Sequence, residues 1–197
     1  MNPPGVLGQI MEETRARLQA HPVDEAALEK RALSSPSAPD AMTSLRLPGV
    51  RIIAEVKRCS PSAGEIRRGA DPSAIARIYE DAGAAAISVL TEPKHFGGSL
   101  DDLSAVTSAC SLPALRKDFI VSRRQILEAK AAGASLILLI VAGLTDDELA
   151  ERAPGRGRQR RHGGRGDRGG ALAARDSAAR RGGQGRAGGA QSDRHAR

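Results

Sequence analysis

Aromatic side chains are almost absent from this chain, which has no Trp, one Tyr and two Phe. Cysteine is equally scarce. Cys59 and Cys110 are the only two, and their spacing fits neither a metal-binding motif nor a disulfide framework. Two reduced thiols, no metal site and a cytoplasmic location are therefore expected. No apolar run approaches the roughly 18 residues of a membrane span. The longest, Leu136–Ala142, suits a buried strand. The N-terminus also lacks the charged-then-apolar pattern of a signal peptide. A soluble protein with no membrane contact is the expectation.

A third absence divides the chain. The formal net charge is +7, yet from Glu151 onward there is no Lys and no aromatic, and Leu172 is the only large aliphatic residue. That stretch holds 13 Arg against four acidic residues, a local balance of +9, with 12 Gly and nine Ala. The first 150 residues carry 17 basic and 19 acidic side chains, a balance of −2. A near-neutral domain thus precedes a basic tail over 151–197. The tail has too little apolar surface to offset the entropy of ordering it and is expected to be disordered. An arginine-glycine arm could hold nucleic acid through phosphates. Without aromatics to stack on bases, such contact is expected to be non-specific at most. Arg, Gly and Ala are also the residues of GC-rich codons, and the composition shifts inside a helical pattern after Ala150. An out-of-frame translation of a GC-rich gene is the expected origin of the tail.

The first 47 residues read as a helical extension. Val6, Leu7, Ile10, Met11 and Leu18 recur at helical spacing, a second helix is predicted from Pro22 to about Leu33, and Ser34–Pro39 is a linker. Residues 48–150 then alternate strands and helices about every 25 residues. Predicted strands are 52–56, 84–90, 113–116 and 136–141. Asp71-Pro72, Ser99, Ser122 and Thr145 open the helices between and after them. The first of these helices is expected to turn Ile75, Ile78 and Tyr79 inward, and 91–98 is read as a loop. Such alternation implies parallel strands with right-handed crossovers. Polar residues gather after the strand ends, which is the catalytic face of a (β/α) barrel.

The stretch that organises the rest is Ile52-Ile-Ala-Glu55-Val-Lys57-Arg-Cys-Ser60-Pro61-Ser62-Ala-Gly64. It reads as a strand stopping at a turn, with Glu55 and Lys57 on one face by the period of two. A structural ion pair would account for them. So would an acid/base or anion-binding pair at the mouth of a sheet, because Lys and Glu are rarely buried without a partner or ligand.

Four stretches in order settle the choice: Glu55–Gly64, Val89-Leu-Thr-Glu-Pro-Lys-His-Phe-Gly-Gly-Ser-Leu100, Leu115-Arg-Lys117-Asp-Phe-Ile-Val121 and Ile137–Thr145. Together they resemble the indole-3-glycerol-phosphate synthase family over roughly residues 1–150. The resemblance implies a TIM (β/α)8 barrel of which about the first four β/α units are present. It also implies ring closure of 1-(2-carboxyphenylamino)-1-deoxyribulose 5-phosphate with loss of carbon dioxide and water, in tryptophan biosynthesis. The partner implied is that small phosphosugar, with no cofactor. Lys117 matches the general acid, Lys57 the lysine that holds the anionic substrate, and Glu55 the glutamate that positions them. Ser60 and Ser62 fall where hydroxyls bond the substrate. Phe96 suits packing of the anthranilate ring or anchoring of its loop, and His95 is expected to have no chemical role. Another phosphosugar barrel, such as a phosphoribosylanthranilate isomerase, would lack the Glu-Val-Lys-x-x-Ser-Pro-Ser run.

The resemblance also implies a glutamate base after the fourth strand, an Asn-x-Arg site, a further glutamate and a glycine-rich phosphate cradle. Nothing in 151–197 matches any of them. The chain is therefore expected to turn over poorly, or to be a non-catalytic half barrel, with self-association through exposed barrel edges.

Overall fold

In a computed structural model that describes residues 5–60, 64–66 and 69–153, helices come first: α1 (Val6–Ala20), α2 (Glu25–Ser34) and α3 (Ala41–Leu45). The second helix begins later than expected. Asp24 rather than Pro22 sets its start, because the Asp24 carboxylate accepts from the Ala27 N–H at 3.0 Å and so satisfies an orphan donor of the first turn. Asp40 does the same for α3 through the Met42 N–H at 2.9 Å. That helix has five residues, too few to show a period in sequence.

The α/β part follows. β1 (Ile53–Val56) leads into a short antiparallel hairpin, β2 (Cys59–Ser60) with β3 (Gly64–Glu65). Next come α4 (Pro72–Asp81), β4 (Ala86–Leu90), α5 (Pro93–Phe96), α6 (Leu100–Ala109), β5 (Ala114–Lys117) and α7 (Arg123–Ala131). β6 (Leu136–Ile137), a 3-10 turn (Val141–Gly143) and α8 (Asp146–Arg152) close the described chain. Glu151 and Arg152 thus belong to a helix, and the rest of the predicted tail, from Pro154, lies outside the described residues. Contacts divide the chain into two units, Met1–Arg158 and Gln159–Arg197, of which the second lies wholly outside the described residues. No described helix is long and apolar enough to cross a membrane.

β1, β4, β5 and β6 form one parallel sheet in that order. Its helix-side face carries Val56, Ile87, Val89 and Ala114, which pack with Ala76 of α4 and with Leu103 and Val106 of α6 into the core. The expected inward set on α4 needs one correction. Ala76 is fully buried and Ile75 and Tyr79 pack on the core, but Ile78 is 61% exposed. At 100° per residue Ile78 sits more than a quarter turn from the centre of that stripe. The last predicted strand is also shorter than 136–141. Its register pairs Arg116 with Ile137, so β5 runs out one residue later and the chain turns off beyond Leu138.

Two extension helices close opposite ends of the sheet. Ser44 of α3 donates to the Ala85 carbonyl at 2.6 Å, where β4 begins. α1 lies instead against segments that follow strand ends. Its Met11 is fully buried and sits against Gly143, and Glu13 meets Lys94 Nζ at 2.8 Å and His95 Nε2 at 2.7 Å. Farther along, Arg15 reaches Glu148 of α8 at 3.7 Å. The Lys94 and His95 contacts hold the Glu13 carboxyl down to about 2.

Gly98 and Gly143 should respond differently to a methyl group. A Cβ at Gly98 would fall 2.1 Å from the Leu90 carbonyl oxygen, a backbone atom that cannot swing away. At Gly143 it would fall 1.9 Å from Met11 Sδ, near the free end of a flexible side chain. In chemical denaturation Gly98→Ala is expected to cost about 1–3 kcal/mol and Gly143→Ala clearly less. Equal costs would contradict this packing.

Candidate active site

The site grows out of strand periodicity. Along β1, Glu55 and Lys57 are two residues apart and leave the sheet on one side. The ladder sets Glu55 beside Ser88 and Ser88 beside Leu115, so Lys117, two residues beyond Leu115, leaves on that same side. The three charged groups meet there. Lys117 Nζ donates to Glu55 Oε2 at 2.6 Å, and Lys57 Nζ lies 3.3 Å from Glu55 Oε1. One carboxylate therefore holds two ammonium groups from the first and third strands of the sheet.

None of the three is sealed off. Side-chain exposure is 29% for Glu55, 33% for Lys57 and 39% for Lys117. Partial burial works against ionising Glu55, but the Lys117 hydrogen bond and charge, followed by those of Lys57, outweigh it. The carboxyl titrates below its usual range. The trio carries one net positive charge and opens to solvent, an arrangement that attracts an anion and offers it a proton donor.

What aims Lys117 lies on the other face of β5. Its neighbours Arg116 and Asp118 point toward α7 and are buried. Arg116 Nη2 meets Asp118 Oδ2 at 2.8 Å, Nη1 donates to the Gln125 carbonyl at 2.6 Å and lies 3.2 Å from Glu128, and Nε donates to Thr91 Oγ1 at 3.2 Å. Every guanidinium nitrogen has a partner, as a buried cation requires.

The loop after β4 is ordered by another buried carboxylate. Glu92 accepts from the backbone N–H groups of Lys94, His95 and Phe96, which makes α5 a capped helix where a loop was expected. Phe96 is thereby held 6.3 Å, centroid to centroid, from the ring of Phe119, two residues beyond Lys117. Ser60 sits in the hairpin strand β2, which packs on α5 through Cys59 Sγ, 3.7 Å from the His95 carbonyl. Ser62 lies outside the described residues. His95 has a structural contact, to Glu13 of α1. Among the described residues, no three His, Cys, Asp or Glu side chains gather as a metal-binding group.

Sequence reasoning did not single out Glu13, Arg116 or Phe119, and placed Glu92 only among the polar residues that follow strand ends. For Glu92 a signal was present, since Glu92-Pro93 repeats the cap-then-proline pattern of Asp71-Pro72. Glu13 meets His95 across 82 residues, and Phe119 meets Phe96 of another β/α unit, separations that no local pattern reveals.

A family model described as indole-3-glycerol phosphate synthase matches residues 7–156. Curated relatives bearing that name include one from Mycobacterium avium (strain 104), 50% identical over 151 residues, which are 76% of this chain and 56% of the relative. Another, from Mycolicibacterium gilvum (strain PYR-GCK), is 53% identical over 146 residues, 73% of this chain and 54% of the relative. A third, from Parafrankia sp. (strain EAN1pec), is 50% identical over 145 residues with the same two coverages. The chain spans about half the length of the curated relatives it matches.

The shared carboxylate has a titration signature. A carboxyl held below its usual range contributes stability that is present above that range and is lost as the pH falls through the lowered value. In Lys117→Met the Glu55 side-chain carbon, followed by NMR, should titrate closer to an ordinary glutamate. Lys57→Met should move it less, because its contact is longer. An unchanged titration in Lys117→Met would rule out the bridge in solution.

Proposed function

The chain belongs to the indole-3-glycerol phosphate synthase family, and from that premise we propose that residues 48–150 are the first four β/α units of a (β/α)8 barrel carrying the acid half of its active site. The substrate is 1-(2-carboxyphenylamino)-1-deoxyribulose 5-phosphate, closed to indole-3-glycerol phosphate with release of carbon dioxide and water. Residues 1–47 are an extension that packs on the barrel ends, α8 carries the chain to Arg152, and the stretch from Pro154 onward has no part in the chemistry.

The observation that carries this reading is the Glu55 carboxylate holding Lys57 and Lys117 together at the strand ends. Ring closure requires the aryl carbon bearing the carboxylate to attack the ribulose carbonyl, whose oxygen gains negative charge. Lys117 stabilises that oxygen and protonates it. Lys57 takes the substrate carboxylate. Its contact with Glu55 is the longer of the two, so an arriving anion displaces Glu55 from Lys57 before it disturbs Lys117. Glu55 holds Lys117 aimed through their 2.6 Å contact. The Ser60 and Ser62 hydroxyls bond the substrate, and Phe96, paired with Phe119, packs the aromatic ring.

A phosphate-binding cradle and the base that completes the reaction belong to later β/α units, and 151–197 contains no matching stretch. The chain alone is therefore expected to give little or no turnover. A chimera separates site from completeness: residues 1–150 of this chain joined to the remaining C-terminal part of the Mycobacterium avium relative. It should produce indole-3-glycerol phosphate, read by its fluorescence, and Lys117→Met in it should lower kcat by about 10²–10⁴. Full turnover by that variant would remove Lys117 from the chemistry. Relative-like rates from the monodisperse chain itself would overturn the incompleteness.

A further inference from the structure

Among the described residues the parallel sheet ends in two open edges, β1 and β6, and these residues carry apolar surface suited to joining one to the other. Ahead of β1, Leu47, Val50 and Ile52 are 51%, 91% and 62% exposed. By strand alternation Ile52 leaves on the same face as Val56, the helix side of the sheet. Beside β6, also on the helix side, runs a groove between α7 and the segment before α3. Leu33, Pro36, Met42, Ile126, Ala129 and Ile137 line it. Projecting apolar side chains at one edge thus face the same way as an apolar groove at the other.

We propose that the chain assembles as a two-fold dimer in which the β1 edge of each copy pairs with the β6 edge of the other, closing an eight-stranded parallel ring. The proposal rests on the barrel reading of the sheet. A two-fold axis along the strands keeps all eight parallel and consumes both edges of both copies, so growth stops at two. Eight is the strand number at which a parallel ring closes around a core filled by its own side chains. Val50 and Ile52 of one copy fill the groove that Met42 and Ile126 line in the other.

The test uses the full chain and reads assembly, so its outcome is independent of whether Lys117 is catalytic. Sedimentation equilibrium should give twice the 20.6 kDa chain mass, and hydrogen exchange should show protected amides in 53–56 and 136–137 on dimerisation. Val50→Asp and Met42→Asp, both at exposed positions, should each weaken the dimer about tenfold or more with unchanged circular dichroism. The double variant Val50→Lys with Met42→Asp should recover part of that loss, because opposite charges then meet across the joint. A monomer, open-ended aggregates or a dimer indifferent to these changes would overturn the proposal. So would a monomer that pairs only with a polypeptide carrying the last four β/α units of a relative.

Discussion

The orientation of one lysine depends on a buried guanidinium beside it. Successive residues of a strand point to opposite sides, so the side that holds Arg116 and Asp118 decides where Lys117 goes. Arg116 is 3% exposed and tied to Thr91 just past β4, to Asp118 just past β5 and to two points on α7, which leaves the strand no freedom to turn over. Removing one partner from such a network typically costs about 3–5 kcal/mol, because the remaining charge stays buried and unpaired. The rigid polar joint on the helix side makes the solvent side a defined place for chemistry.

The same electrostatic device occurs twice near the strand ends, with different results. Glu55 takes two ammonium groups within the sheet, and Glu13 takes an ammonium and an imidazole from α5. In the first case the cations stay open to solvent and to a ligand. In the second they fasten α1 to the loop that carries Phe96. The carboxylates at 92 and 118 work differently, accepting backbone N–H groups and a buried hydroxyl to fix local shape.

What the sequence disclosed was local. Asp71-Pro72, Ser99, Ser122 and Thr145 mark helix starts because each hydroxyl or carboxylate serves backbone donors within three residues. Glu55 and Lys57 could be placed on one face because a strand has a period of two. Their meeting with Lys117 rested on the family resemblance, since 62 residues separate the two β1 and β5 partners of that hydrogen bond. The exposure of Ile78 was missed because an apolar residue at the rim of a helical stripe looks like one at its centre. His95 was assigned no chemical role, and its bond to Glu13 spans 82 residues, which no window along the chain can see.

The position of α1 sets an order on biosynthesis. It leaves the ribosome ahead of every segment it packs on: Met11 needs Gly143, Glu13 needs Lys94 and His95, and Arg15 needs Glu148. A lone helix of 15 residues is marginal in water. Ile10, Met11 and Thr14 must therefore wait uncovered while more than a hundred further residues are made. Until those partners emerge, the nascent chain offers a chaperone an apolar helix face that the finished fold conceals.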